Sequence, residues 1–175
     1  GFDVKRTGLE KEWVRGPQYA SPDAYKFFMN LGPIKNLNEK YFNYERPFWN
    51  EVMRNEVYNS FWQSRNILPH LKNIKPAVLI VGGWFDAEDQ YGPLNIYRTI
   101  EKNNPNANNS IIMGPWVHGG WARSEGDKLG DISFDSKTGA FYNDSIIYPF
   151  FNYYLKGIGE NQIAEATIFR TGENK

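Results

Sequence analysis

The sequence predicts an α/β protein: a helical unit followed by a parallel sheet. Three observations predict it. Pro76-Ala77-Val78-Leu79-Ile80-Val81 is an apolar, β-branched run halted by Gly82-Gly83. Ser110-Ile111-Ile112-Met113 is a second such run, halted by Gly114-Pro115. Between them Leu94, Tyr97 and Ile100 recur at helical spacing. Neither run alternates apolar with polar residues, which suits strands covered on both faces. Strand, helix, strand within about 40 residues is a βαβ unit, built on parallel strands with a right-handed crossover.

The remaining elements follow in order. Residues 1–17 read as an irregular lead-in, punctuated by Gly8 and Gly16-Pro17. Ser21 is an N-cap candidate with Pro22 at the first helical position. Tyr25, Phe28 and Met29 then recur as the apolar face of a helix ended by Gly32-Pro33. Further helices are predicted over 47–54 and 56–64, with Phe48, Val52, Phe61 and Trp62 as their buried stripes. Residues 18–72 thus form a ring-rich helical unit without a strand signal, and the α/β part follows over 73–160. After a long Gly-rich loop, 143–156 reads as an amphipathic helix stopped by Gly157. Pro149 lies inside that stretch and must kink the helix or mark its true start. Residues 164–170 read as a last strand. One strand is not stable by itself, so its partners lie elsewhere in the chain or outside it.

Composition excludes several classes. Twenty basic and 20 acidic residues cancel, so there is no basic excess to hold nucleic acid. No apolar run approaches the roughly 18 residues of a membrane span. The opening Gly-Phe-Asp-Val carries no signal-peptide pattern. With no cysteine, disulfides, thiol nucleophiles and cysteine-based zinc sites are out, and the redox compartment stays open. Aromatic residues reach 17%, enough to line an apolar, ring-accepting pocket as well as to pack a core.

Candidate chemistry sits just past the two strand ends. Asp86 follows Gly82-Gly83-Trp84-Phe85, and His118 follows Gly114-Pro115-Trp116-Val117. Open parallel sheets place ligand-contacting residues at the carboxyl ends of their strands. An aspartate there can accept a hydrogen bond from an imidazole, fix its tautomer and stabilise the imidazolium. An imidazole suits a general base because it titrates near neutral pH. Acid, then histidine, is the second and third part of a Ser…Asp…His order. His70, the other histidine, follows Pro69 in the helical unit and reads as a surface or helix-terminal residue. Glu88 and Asp89 share the Asp86 loop, and such close carboxylates repel unless a cation sits among them. Two readings stand side by side: they bind a substrate ammonium group, or they favour the N-terminus of the helix near Pro93 through its dipole. A calcium site is a third option, but no twelve-residue calcium loop is present. No Gly-x-Ser-x-Gly occurs. The nearest string, Ala122-Arg123-Ser124-Glu125-Gly126, lies after His118 and not at a strand-to-helix elbow. No nucleophile is therefore assigned, no metal site is predicted, and the isolated chain is expected to lack acyl-transfer activity.

The two motifs together resemble the α-amino-acid ester hydrolases and glutaryl-7-aminocephalosporanic-acid-acylase-like proteins, within the cocaine-esterase and X-Pro dipeptidyl-peptidase group of serine hydrolases. That family carries Gly-Trp-(Phe/Tyr)-Asp after one strand and Gly-Pro-Trp-x-His after the next, matched by Gly83-Trp84-Phe85-Asp86 and Gly114-Pro115-Trp116-Val117-His118. The resemblance implies Asp86 as triad acid and His118 as triad base. It implies an α-ammonium-binding role for Glu88 and Asp89. It further implies the C-terminal part of an α/β-hydrolase fold, with 18–72 as helical cap and 148–157 as the helix leaving that domain. Residues 161–175 would open a C-terminal jelly-roll domain.

The nucleophile region and a third clustered carboxylate, both upstream in the family, are missing, so the chain reads as an internal piece of a longer enzyme. The implied substrate is a small-molecule acyl ester or amide, or a short peptide, with no cofactor. An X-Pro dipeptidyl-peptidase or plain carboxylesterase is the alternative within enzymes, and a non-catalytic binding or assembly module the alternative outside them. The resemblance implies a periplasmic or secreted protein. Exposed strand edges predict self-association of the isolated chain into a homo-oligomer.

Overall fold

A computed structural model describes residues 22–172. The lead-in over 1–17 and the Ser21 cap lie outside the described residues. The chain divides into two compact units between Asn66 and Ile67.

The first unit is helical. Helix α1 spans Ala24–Leu31, and its cap is Asp23, whose Oδ1 accepts from the Lys26 amide at 3.1 Å. Pro22 therefore precedes the helix and does not begin it. Gly32, at φ 73°, ends it, and Asn36 Nδ2 donates to the Leu31 carbonyl at 2.9 Å. The buried face is Phe27 and Leu31, one turn apart, while Tyr25, Phe28 and Met29 are exposed. The helix carries two competing apolar arcs. A π-helical turn over Asn38–Phe42 selects between them, because Leu37 and Phe42 close the core with Phe27 and Leu31. Helix α2 spans Pro47–Arg54, with proline in its opening turn. Helix α3 is shorter than predicted, Ser60–Gln63, because Asn59 caps it by accepting from the Phe61 amide at 3.0 Å. Neither helix has a fully buried residue: Phe48 is exposed, and Val52, Phe61 and Trp62 are half-buried.

The second unit holds the sheet. Strand β1 spans Val78–Gly83, helix α4 Tyr91–Asn103 and strand β2 Asn109–Gly114. Short pieces follow: α5 over Gly120–Arg123, an antiparallel pair β3 (Lys128–Leu129) and β4 (Ile132–Ser133), and α6 over Thr138–Phe141. The stretch expected as a Gly-rich loop is therefore partly ordered into elements too short to leave a periodic signal. A π-helical turn, Tyr142–Ile147, leads into α7, Tyr148–Lys156, so Pro149 marks the start of the α-helical part. Gly157, at φ 65°, ends it.

Strand β5, Ala166–Ile168, pairs in parallel with β2, giving the order β1-β2-β5. Within the segment read as the opening of a further β domain, Ala166–Ile168 forms the third strand of this sheet, held by main-chain bonds from Ile111 N to Glu165 O (2.9 Å) and from Phe169 N to Met113 O (2.8 Å). Its partner lies within the chain.

Both faces of the sheet are covered. Ile80, Ile111 and Met113 pack with Ile100 of α4, and Leu71 and Ile74 join them. On the other face Ile112 packs with Trp116, Tyr142 and Ile146, joined by Leu79 and Val81. Neighbouring positions of one strand thus fill opposite cores, which is why the strands read as unbroken apolar runs. Buried Asn104 ties the entry segment to α4: its Nδ2 donates to the Leu71 carbonyl at 3.1 Å, and its Oδ1 accepts from Ile74 N at 2.9 Å.

Candidate active site

The pairing of β1 and β2 runs on past their ends. Trp84 N donates to Gly114 O at 2.8 Å, and Phe85 N to Trp116 O at 3.1 Å. This close approach requires glycine at 83, where a Cβ would run into the Trp116 carbonyl. The chain then turns, with Asp86 N donating to Gly83 O at 3.2 Å. Asp86 Oδ1 accepts the amides of Glu88 (2.8 Å) and Asp89 (3.1 Å), which fixes the carboxylate to its own loop.

Trp116 anchors the second loop. It is 4% exposed and packs edge-on against Tyr142 at 5.6 Å. Its Nε1 donates to Thr138 Oγ1 at 2.9 Å, and that hydroxyl donates to Gly126 O at 2.6 Å. Two residues on, His118 Nδ1 lies 3.0 Å from Asp86 Oδ2. The two strand-end motifs therefore meet.

The electrostatics favour an ionised acid. The Glu88 amide is the largest influence holding the Asp86 carboxyl below the ordinary aspartate range. Burial opposes it, and the Asp89 amide and His118 add to the lowering. The Asp86 side chain is 4% exposed and that of His118 55%, so the acid is sheltered and the ring reaches solvent. With Nδ1 facing a carboxylate, Nε2 is left to accept a proton. Charged hydrogen bonds of this kind are the stronger ones.

The two other acids separate. Glu88 is exposed, with Oε2 4.0 Å from His118 Nε2. Asp89 Oδ1 accepts from the Gly92 amide at 2.6 Å, so it caps the first turn of α4. Glu88 thus faces the ring, and Asp89 serves the helix start. His70 ends a 3-10 turn, Leu68–His70, and is exposed. Ser124 Oγ is spent on the Gly120 carbonyl at 2.9 Å. Arg123, which sequence reasoning passed over, donates through Nη2 to the His118 carbonyl. Its only sequence signal is the helix-length spacing after a Gly-Gly pair.

An apolar cavity of about 240 Å³ lies between Met113, Trp116, Phe141, Tyr142 and Phe169. A wider groove borders Trp84, Phe85, Gln90 and Phe169. Asp86 and His118 line neither. Among the described residues no group of three or more acidic or histidine side chains is placed to hold a metal. No helix among them is long and apolar enough to cross a membrane.

A parallel sheet with a bonded carboxylate and imidazole past neighbouring strand ends is an α/β-hydrolase arrangement. The sequence model of the X-Pro dipeptidyl-peptidase (S15 family) matches residues 3–120, and the chain belongs to that family. Two solved structures are similar. One is an aminopeptidase from a marine sediment archaeon, Thaumarchaeota archaeon, at 28% identity and TM-score 0.80, covering 95% of this chain and 27% of that one. The other is an α-amino acid ester hydrolase, at 25% identity and TM-score 0.83, covering 91% of this chain and 26% of that one. The chain thus spans about a quarter of the length of these proteins. No curated protein sequence matches it.

Proposed function

We propose that this chain carries the acid and the base of a serine hydrolase that cleaves esters or amides of α-amino acyl groups. The observation that carries the reading is the 3.0 Å contact between His118 Nδ1 and Asp86 Oδ2. His118 Nε2 takes the proton of a serine hydroxyl supplied by the rest of a longer protein and returns it to the leaving group. Asp86 keeps the ring in the Nδ1–H tautomer and stabilises the imidazolium. Glu88, close to Nε2, faces the α-ammonium group of the substrate. Asp89 contributes charge to the same loop while capping α4.

Two solved relatives support the amino-acyl class. An aminopeptidase and an amino-ester hydrolase differ in leaving group and share a free α-amino group on the acyl side. The aminopeptidase likeness favours a second leaving group, the amine of a short peptide. The test uses the longer protein that contains this segment. Phenylglycine methyl ester and phenylacetic acid methyl ester, which lacks the amine, are compared before and after Glu88→Gln. The expected result is a preference for the amino ester that Glu88→Gln erodes. Equal turnover of the two esters by the unaltered enzyme sinks the ammonium role. Full activity after His118→Ala sinks the hydrolase reading itself.

A further inference from the structure

We propose that Arg123 is a positioning residue for the His118 imidazole, acting through the His118 backbone. The inference rests on the reading of Asp86 and His118 as acid and base.

The His118 side chain is 55% exposed, so packing leaves much of the ring free. Its aim depends on the bond to Asp86 at one end and on the placement of its own main chain at the other. That main chain lies in an irregular turn with its carbonyls engaged in succession. Val117 O accepts from Gly120 N at 2.8 Å, Gly119 O from Ala122 N at 3.2 Å, and Gly120 O from Ser124 N at 3.1 Å. The His118 carbonyl, between them, accepts from the Arg123 guanidinium. A charged side-chain donor thus stands in a series of main-chain donors. A guanidinium stays protonated at any pH the enzyme meets, and bonds from charged donors exceed neutral ones in strength.

Gly119 makes the contact possible in two ways. It adopts φ 66°, a region that side chains strain to reach. A Cβ there would also lie 2.6 Å from Arg123 Nη2 and 3.0 Å from its Cζ. The arginine itself stands on a fixed base. Trp121 of α5 packs edge-on against Trp116 at 6.0 Å, and Asn143 Nδ2 donates to the Trp121 carbonyl at 3.3 Å. A continuous path therefore runs from the buried Trp116 through α5 and Arg123 to the His118 carbonyl. Among the described residues no carboxylate forms an ion pair with Arg123, so its charge serves the histidine loop.

Long-range proton–nitrogen NMR of the 175-residue chain, above the imidazole titration, tests the assignment. The unaltered chain should show His118 held as the Nδ1–H tautomer. Arg123→Gln should lose that dominance and show averaged tautomers, with the near-UV circular dichroism of the tryptophans unchanged. Arg123→Lys, which keeps a charged donor, should restore part of it. An unchanged His118 tautomer in Arg123→Gln overturns the proposal. So does loss of the tryptophan signal in that variant, because an exposed residue acting only on His118 does not unfold the sheet. Asp86→Asn separates the two readings: if it too leaves the tautomer unchanged, the acid–base pairing fails, whereas a change there alone condemns only the role of Arg123.

Discussion

The Phe85 amide donates to the Trp116 carbonyl across 3.1 Å, and that bond joins the Asp86 loop to the His118 loop. Gly83 lies against the same carbonyl, and a methyl group there would force the loops apart. Gly83→Ala is expected to destabilise the sheet unit by about 1–3 kcal/mol, the usual cost of inserting a methyl into packed structure. It should also release His118 from Asp86. Urea unfolding reads the first effect and the His118 tautomer the second. An unchanged unfolding midpoint contradicts the close approach.

Asp86 sets an acid-side dependence. Its folded pKa lies below the ordinary range, chiefly through the Glu88 amide. The carboxylate therefore contributes stability above the unfolded pKa, and that contribution is lost as pH falls through the folded one. Asp86→Asn should flatten the stability curve in that acidic window and leave its shape at neutral pH unaltered. Denaturant titrations at a series of pH values check this. Parallel acid limbs for the two proteins count against it.

Thr138 is a buried relay between the Trp116 indole and the Gly126 carbonyl. Thr138→Val keeps the shape and strands both partners, at a cost of about 1–3 kcal/mol for buried polar groups left unpaired. Thr138→Ser keeps the hydroxyl and should cost less. The order of the two thermal midpoints decides the matter, and Val above Ser contradicts the relay.

Tyr97 donates to Glu165 Oε1 at 2.6 Å, which with some burial pushes its phenol up to about 12. A raised folded value means the bond contributes fully below the unfolded tyrosine pKa of about 10 and is lost as pH climbs through the folded one. Ultraviolet titration should show late-ionising tyrosines that include Tyr97 and the buried Tyr142, whose phenol burial also pushes up, and Tyr97→Phe should remove the contribution of one of them. If the mutant keeps it, the assignment to Tyr97 is wrong.

The parts of the fold that the sequence makes legible are those written in one period. β1, β2 and α4 follow from two apolar runs and a helical spacing, because strands buried on both faces need no alternation. The strand ends then locate Asp86 and His118, since Gly82-Gly83 stops one run and Gly114-Pro115 the other. Elsewhere the signal is shared. Tyr25, Phe28 and Met29 form as regular an arc as Phe27 and Leu31, and only the return of Leu37 and Phe42 decides which is buried. Short elements such as α5 and α6 never complete a pattern. Asp89 illustrates the same limit within the site: a carboxylate before a helix suits a ligand and a cap equally in sequence, and only the fold shows its 2.6 Å bond to the Gly92 amide. Arg123 lies deeper still, because a bond to a carbonyl oxygen leaves no residue-type signature at its partner.

Trp84, at the root of the acid's loop, donates through Nε1 to the carbonyl of Phe169, 85 residues downstream. Contacts of such separation form late, since loop closure must precede them. On the ribosome, at about 5–20 residues per second, several seconds pass between the emergence of the tryptophan and that of its acceptor. Throughout that interval the nascent loop lacks one of its ties, so the acid acquires its final setting only near the end of synthesis of this stretch.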